Sequence, residues 1–417
     1  MTEPIRAPRG TLDVLPDDGR RRLELLRIAD DVFARAGYGP IETPIFESAE
    51  LFARGVGETT DIVEKEMFTF EDQGGRSITL RPEGTASACR AYVEHGMHKL
   101  PQPVKLWYWG PFFRYEAPQA GRFRQFTQVG VEAIGSDDPS LDAESILLLA
   151  ELLDGAGTQG VRLRISSLGT PETRRAYSNE LREHLRARED LLSDDVRARI
   201  DRNPLRAFDS DHPGTQAALS DAPRLIDRLN PEDAEHFSRV RALLDAAGQP
   251  YEVDGTLVRG LDYYTRTVFE FESTELGAQS ALGGGGRYDG LIEQLGGPPT
   301  PGVGWAAGIE RILLAASGDD EETRVRRSVF VATTDDADPV QAFDIARELR
   351  LRGLHAELEQ AGRSLKGQLK HADRLGADYV VIVGDEDVQV KDMSTGDQRP
   401  AASPGEAVEL VAAGGRA

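Results

Sequence analysis

One cysteine, Cys89, stands among 417 residues, and its solitude rules out an intramolecular disulfide and any cysteine-rich metal site. No run of eighteen apolar residues exists, so no membrane-crossing helix is expected. The opening residues, "MTEPIRAPRGTLDVLPDD", lack the apolar stretch of a secretion signal. Histidine is scarce too. His95 and His98 are three apart with no obvious carboxylate or thiol partner, so they read as surface or loop residues and no metal site is expected. Positive charge is the minority sign: 49 basic against 71 acidic residues leave a net −22. Such a chain repels phosphates over most of its surface, and a nucleic-acid partner must be met at local basic patches. Taken together, these features describe a soluble cytoplasmic protein. Phosphate-binding glycine loops are missing as well. No G-x-x-x-x-G-K-[ST] occurs, and "GGGGRYDG" fits G-x-G-x-x-G in no register. "GVGWAA" at 302–307 does fit the G-x-G-x-x-A variant, but a Pro/Gly loop, "GGPPTP", precedes it where a strand is required.

What is present begins with "RRRLELLRIADDVFARAGY", whose spacing predicts a helix. Leu23, Leu26, Asp30 and Phe33, flanked by Ala29 and Val32, form its mostly apolar face, and Gly37 supplies a C-cap. "GPIETPIFE" is extended, because Pro40 and Pro44 disfavour helix before them. "MFTFED" and "RSITLRPE" read as a hairpin closed by Gln73-Gly74-Gly75. "VKLWYWGPFFRYE" and "FTQVGVEAIG" flank the polar loop "APQAGRFRQ". "SLDAESILLLAELLDGAG" is a helix with Ser140 or Asp142 near its cap. From about 171 to 250 strands vanish and charged helical runs dominate, which reads as a helical insertion. Strand patterning resumes at "YEVDGTLVRGLDYY" and continues through "SALGGGGRYDGL". After the acidic linker "GDDEET", strand and helix alternate to the end, the rhythm of a small separate α/β domain.

Arginines carry the chemistry. Arg114 closes the apolar "GPFFR", Arg259 opens "RGLDYYTRTVFEF", and Arg311 follows "GVGWAAGIE". In "RGLDYYTRTVFEF", Thr267, Phe269 and Phe271 alternate with Arg266, Val268 and Glu270 as in a strand, yet the segment starts with a cation, an aspartate and two phenols. Guanidinium matches phosphate and carboxylate oxygens bidentately. Three of them abutting apolar strands or helices point to a polyphosphate site.

The same segments resemble the class II aminoacyl-tRNA synthetases. "GPFFRYEAPQAGRFRQFTQVGVEAIG" is similar to their second motif, "PGVGWAAGIERILL" to their third, and "GYGPIETPIFE" to their first, which lies at the dimer interface in that class. Within the class, "LVRGLDYYTRTVFEF", "ALGGGGRYDGL" and "RPEGTAS" resemble histidyl-tRNA synthetases, from Arg9-Gly10-Thr11-Leu12-Asp13 to the end. The resemblance implies an α+β catalytic core over 1–325, an antiparallel sheet with flanking helices, interrupted by the insertion. It also implies an α/β anticodon-binding domain over 326–417. It implies ATP and histidine as substrates, Mg²⁺ bridging phosphates, tRNA(His) as partner, and a homodimer. By resemblance Arg259 is the catalytic arginine, contacting the histidine carboxylate and the α-phosphate. Tyr264 and Glu132 read the imidazole, and Glu83, Thr85 and Gln128 hold the ammonium. Gly84 and Tyr263 belong to the same subsite; Asp262 and Tyr263 could equally serve as structural groups at its rim. Arg114 and Glu116 face the α-phosphate and adenine, Arg311 the γ-phosphate, and Gly283 to Gly286 let backbone lie flat against the ligand. Lys366, Lys370 and Arg374, four residues apart, make one basic helix face, a candidate RNA contact. The second reading is a non-catalytic paralogue resembling the regulatory subunit of ATP phosphoribosyltransferase. Such proteins usually lack the anticodon domain and have degraded nucleotide-binding arginines.

Overall fold

A computed structural model describes residues 4–57, 60–116, 121–316, 327–385 and 387–414, the side chains of 278 and 279 aside. The linker 318–323 and residues 117–120 of the polar loop lie outside the described residues. The chain divides into two compact units, Met1–Ser317 and Gly318–Ala417.

The first unit starts with α1 (Pro16–Arg35), β1 (Gly39–Pro40), β2 (Phe46–Ser48), α2 (Ala49–Val56), β3 (Phe68–Glu71), β4 (Ser77–Leu80) and α3 (Thr85–Glu94). Next come β5 (Val104–Phe113), β6 (Gln125–Ile134), α4 (Pro139–Gly155) and β7 (Val161–Ser167). Helices α5 (Pro171–Arg186), α6 (Asp194–Arg199), α7 (Pro213–Leu219) and α8 (Pro231–Ala246) fill the strand-poor region. The unit closes with β8 (Glu252–Val253), β9 (Thr265–Ser273), β10 (Ala281–Arg287), α9 (Leu291–Gln294), β11 (Gly302–Gly308) and α10 (Ile309–Ala315). Its main sheet runs β1-β5-β6-β11-β10-β9-β7-β8, antiparallel except for the β1–β5 and β7–β8 pairs at its edges. The "GVGWAA" glycines thus lie within a central strand, which leaves no strand-to-helix turn for a dinucleotide.

Period-two alternation separates the sheet's two faces. Val129, Val131 and Ala133 of β6, Phe269 and Phe271 of β9, and Val303, Trp305 and Ala307 of β11 pack with α1, α4 and α8 into one core. The intervening positions, among them Gln128, Glu132 and Glu270, point to the other face. There α2, α3 and the insertion helices build a second apolar cluster with Tyr263, Tyr264 and Tyr288. Helix α8 packs Phe237, Val240 and Leu244 into the first core and so belongs with α4.

Four local readings of the sequence need correction. On α1 the buried residues are Leu25, Ala29, Val32 and Phe33, while Leu23 is 67% exposed and Asp30 faces solvent. Leu25, Ala29, Val32 and Phe33 fall at i, i+4, i+7 and i+8, one helical face, which Leu23 does not share. The α4 N-cap is Asp138, whose carboxylate accepts from the Ser140 N–H. Asp142 is instead fully buried, accepting from Arg287 Nε at 2.8 Å and lying 3.4 Å from His236 Nε2. Finally, "YEVDGTLVRGLDYY" forms strand only at Glu252–Val253, and 254–264 is irregular.

The second unit contains β12 (Ser328–Thr333), α11 (Pro339–Leu351), β13 (His355–Leu358), α12 (Leu365–Arg374), β14 (Tyr379–Val383), β15 (Val388–Asp392), β16 (Gln398–Ala401) and α13 (Pro404–Ala412). Its sheet, β13-β12-β14-β15-β16, is parallel over the first three strands and antiparallel beyond. Buried Gln368 of α12 pairs with the Thr333 N–H and C=O, and Ala372 packs beside it. That fixes Lys366, Lys370 and Arg374 on the exposed side of the helix.

Arg287 is the most buried cation. Besides Asp142 it donates to Asp289 and to the carbonyls of Ser136 and Asp138. Removing one partner of a buried pair strands the other charge, at a cost of ~3–5 kcal/mol. Asp142→Ala is therefore expected to lower unfolding stability by about that amount in urea titration, whereas a change under ~1 kcal/mol would contradict the assigned pairing.

Candidate active site

A chamber of about 270 Å³ opens on the sheet face away from α1 and α4. Its walls include Glu83, Gly84, Thr85, Arg114, Glu116, Gln128, Arg259, Tyr263, Tyr264 and Arg311, along with Gly283 and Gly284. Gly285 and Gly286 do not reach it. All four glycines lie inside β10, between β9 and β11, where a Cβ would strike neighbouring backbone or side chains. At Gly284 that Cβ would also stand 3.0 Å from Arg259 Nη1, so the bare backbone makes room for the guanidinium.

Arg259 pairs with Glu270 of β9 and stands over the Tyr264 ring at 5.8 Å. Burial lowers its proton affinity, but Glu270 and the neighbouring phenols reverse this, and the net shift is upward. The guanidinium is thus a fixed charge at any relevant pH. Its Nε is buried without a hydrogen-bond partner, as is Gln128 Oε1 in the same wall. Both residues belong to the chamber wall.

Across the chamber, Arg114 at the end of β5 donates from Nε to the Pro82 carbonyl at 2.9 Å and lies over Phe126. Arg311 donates to the carbonyls of Ala281, at 2.8 Å, and Gly121, at 3.3 Å. Its neighbour Glu310 accepts from the Thr127 N–H and from Arg22 at 2.9 Å, which locks the start of α10 onto β6. Arg122, a chamber residue that the sequence reading passed over, pairs with Glu116. Burial depresses the pKa of Arg114, Arg122 and Arg311; the Arg114 charge depresses Arg122 further, and both depress Arg311. Like charges held this close favour an entering polyanion.

Glu83 caps α3: its carboxylate accepts from the Thr85 and Ala86 N–H groups at 2.8 and 2.9 Å. Burial still raises its pKa, against the pull of those N–H groups and Arg114. Glu132 lies beneath the floor, not on the wall. It accepts from Thr85 Oγ1 at 2.7 Å, Tyr288 OH at 2.6 Å and Tyr108 OH at 3.3 Å. Gly304, opposite it on β11, leaves the space that its carboxyl occupies. The Tyr108 ring lies in turn where side chains at Gly84 or Gly130 would collide. Tyr108 and Tyr288 were also absent from the sequence reading. Strand alternation could have found Tyr108, since it pairs with Gly130, two residues before Glu132. Asp262 stands outside the chamber, where burial raises its pKa.

An eight-stranded, mostly antiparallel sheet bearing an arginine-lined chamber is the architecture of the class II aminoacyl-tRNA synthetases. The family model "Histidyl-tRNA synthetase" matches residues 10–312, and "Anticodon binding domain" matches 328–413. A histidine–tRNA ligase of Desulforamulus reducens is 50% identical, covering 94% of this chain and 95% of that one. Another, from Halothermothrix orenii, is 49% identical over 94% and 96%. The solved apo histidyl-tRNA synthetase of S. aureus is 38% identical, with a TM-score of 0.81, covering 98% of this chain and 100% of that one. The chain belongs to the histidyl-tRNA synthetase family.

Burial dominates at Glu132, outweighing the three hydroxyls that favour the anion, and lifts its pKa from 4.5 to about 8. The folded chain therefore keeps a proton that the unfolded chain releases above 4.5. Stability from this group falls as pH rises through that window, by up to ~1.4 kcal/mol per unit, and levels off above 8. Glu132→Gln cannot ionise, so its stability should decline less than the parent's in urea titrations between about pH 5.5 and 7.5. Matching slopes would contradict the buried, protonated carboxyl.

Proposed function

We infer that the chain is a histidine–tRNA ligase. It joins histidine and ATP into histidyl-adenylate with release of pyrophosphate, then transfers histidine to the 3′-terminal adenosine of tRNA(His). One observation carries the reading: Arg114, Arg259 and Arg311 converge on one chamber with Glu83, Thr85, Gln128 and two tyrosines. The matched anticodon-binding unit and the retained arginines favour the ligase over a regulatory paralogue.

The first step brings a carboxylate to a phosphate of the same sign. Arg259 offsets that repulsion and stabilises charge developing at the α-phosphoryl group. Arg114 and Glu116 hold the α-phosphate and adenine side, with Phe126 offering a ring face beside Arg114. Arg311 takes the γ-phosphate, and Arg122 adds charge next to it. Glu83, Thr85 and Gln128, all on the chamber wall, bind the α-ammonium. Tyr264 on the wall faces the imidazole, and Glu132 under the floor acts on it through the hydroxyls of Thr85, Tyr108 and Tyr288 that it accepts from. Tyr263 OH, 3.5 Å from Glu83, braces that carboxylate.

The chamber carboxylates are already engaged: Glu83 by backbone N–H groups, Glu270 and Glu116 by arginines, Glu310 by Arg22 and Thr127. Among the described residues no group of three His, Cys, Asp or Glu could hold a metal ion. These residues do not build a cage for Mg²⁺; an ion arriving with ATP would be held by phosphate oxygens. The exposed basic face of α12 is the anticodon-side RNA contact in this reading. Exposed Ile45, Phe46 and Phe70, on and beside the small β2-β4-β3 sheet, support a homodimer interface there. No described helix is long and apolar enough to cross a membrane, and the reading places the enzyme in the cytoplasm.

Histidine-dependent ATP–pyrophosphate exchange, followed by charging of total tRNA, tests the function; a parent protein with neither activity contradicts it. Arg259→Ala should bind histidine and ATP within a few-fold of the parent yet lose about 10²- to 10³-fold in exchange rate. Undiminished exchange would reject its role. Lys370→Glu should weaken tRNA binding at low salt while adenylation stays normal, and unaltered affinity would sink the basic-face assignment.

A further inference from the structure

The segment 259–264 supplies Arg259, Tyr263 and Tyr264 to the chamber, yet it belongs to no strand or helix. Among the described residues, its one backbone–backbone bond runs from the Asp262 N–H to the Val56 carbonyl, 3.2 Å. Its carbonyls must therefore find partners elsewhere. Three alternate ones are taken by two guanidiniums of the insertion. Arg206 donates to the Gly260 carbonyl at 2.8 Å. Arg174, on α5, donates to the Tyr264 carbonyl at 2.7 Å and the Asp262 carbonyl at 3.3 Å. Asn203 adds a longer contact, 3.4 Å, to the Asp262 carboxylate.

The segment is also thin. Arg259 and Leu261 line the chamber on one side and, on the other, a second cleft of about 420 Å³ that Arg174 and Arg206 help to form. Tyr263 and Tyr264 pack into the second apolar cluster, but the backbone between the two cavities lies outside any strand or helix, so its path depends on polar anchors. Its C-terminal end is tied to the same insertion. Arg266, at φ 44°, exchanges backbone bonds with Leu168 and Gly169, immediately ahead of α5. Burial lowers the Arg174 pKa, with Asp262 pulling it back up.

We propose that Arg174 and Arg206 are positioning residues for amino-acid activation: from the helical insertion they hold the carbonyls of 260, 262 and 264, and so set where Arg259 and Tyr264 stand. Neither guanidinium needs to touch substrate. Each acts through the backbone of the segment that does. Displacing reacting groups by about an ångström typically costs around 10²-fold in rate. The proposal rests on the ligase reading.

Pyrophosphate exchange on the full chain, with histidine and ATP varied separately, provides the test, and calorimetric melting is run on each variant. Arg174→Ala is expected to reduce kcat/KM for histidine by about 10- to 100-fold. Its KM for ATP should stay within about twofold of the parent, because Arg114 and Arg311 stand on other elements. Arg174→Lys, which can still reach one carbonyl, should recover part of the loss. Arg206→Ala, losing a single carbonyl, should show the same pattern more weakly, and it covers the case in which Arg174→Ala fails to fold. Arg175→Ala, in the same cleft but without a bond to the segment, should match the parent. Parent-like histidine kinetics in Arg174→Ala or, where that variant does not fold, in Arg206→Ala would overturn the inference. So would losses in those variants that merely track the unfolded fraction. An inactive parent refutes the ligase reading itself and the inference with it; an active parent with unaffected variants overturns the inference alone.

Discussion

The charges of Arg114 and Arg122 depress the proton affinity of Arg311, and that crowding of like charge is the constraint around which the catalytic unit is organised. Left alone, such a cluster would splay into solvent. It is kept in place by neutral anchors: carbonyls of Pro82, Ala281 and Gly121 accept from Arg114 and Arg311. A polyphosphate entering the chamber relieves repulsion that the fold already bears, so binding energy is directed to the triphosphate.

The sheet makes this possible through alternation. Along β6, β9 and β11, each residue committed to the α1–α4–α8 core is followed by one pointing to the chamber side. Apolar side chains on one face provide stability, and the other face is free to carry Gln128, Glu132 and Glu270. Glycine appears where a chamber group needs depth: Gly304 for the Glu132 carboxyl, Gly284 for Arg259. Rigid strands thus place most of the site, while Arg259 and its tyrosines come from an irregular segment.

How much of this was legible beforehand depends on range. The hairpin over 68–80, the long strands of the second motif and the strand–helix rhythm of the second unit follow from local patterning, and the structure contains them. Arg114, Arg259 and Arg311 could be singled out because each abuts an apolar run, and they do meet in one chamber. What local pattern could not show was set by tertiary contact. On a helical wheel, by contrast, Leu23 stands opposite Val32 while Leu25 shares the face of Ala29 and Val32, so that miss was one of local period. Asp142 reads as a capping residue until Arg287, 145 positions away, is brought beside it. Glu132 reads as a wall group, but three hydroxyls from Thr85, Tyr108 and Tyr288 draw it below the floor. Arg122 went unremarked because its sequence neighbourhood is a polar loop, and its significance comes from Arg114 and Arg311 across the chamber.

That the clustered guanidiniums read the length of a phosphate chain can be checked by calorimetric titration of ATP and of AMP into the parent and Arg311→Met. Arg311→Met should bind ATP at least about tenfold more weakly while binding AMP as the parent does, since AMP has no phosphate to offer that position. Equal weakening of both nucleotides, or of neither, would contradict it.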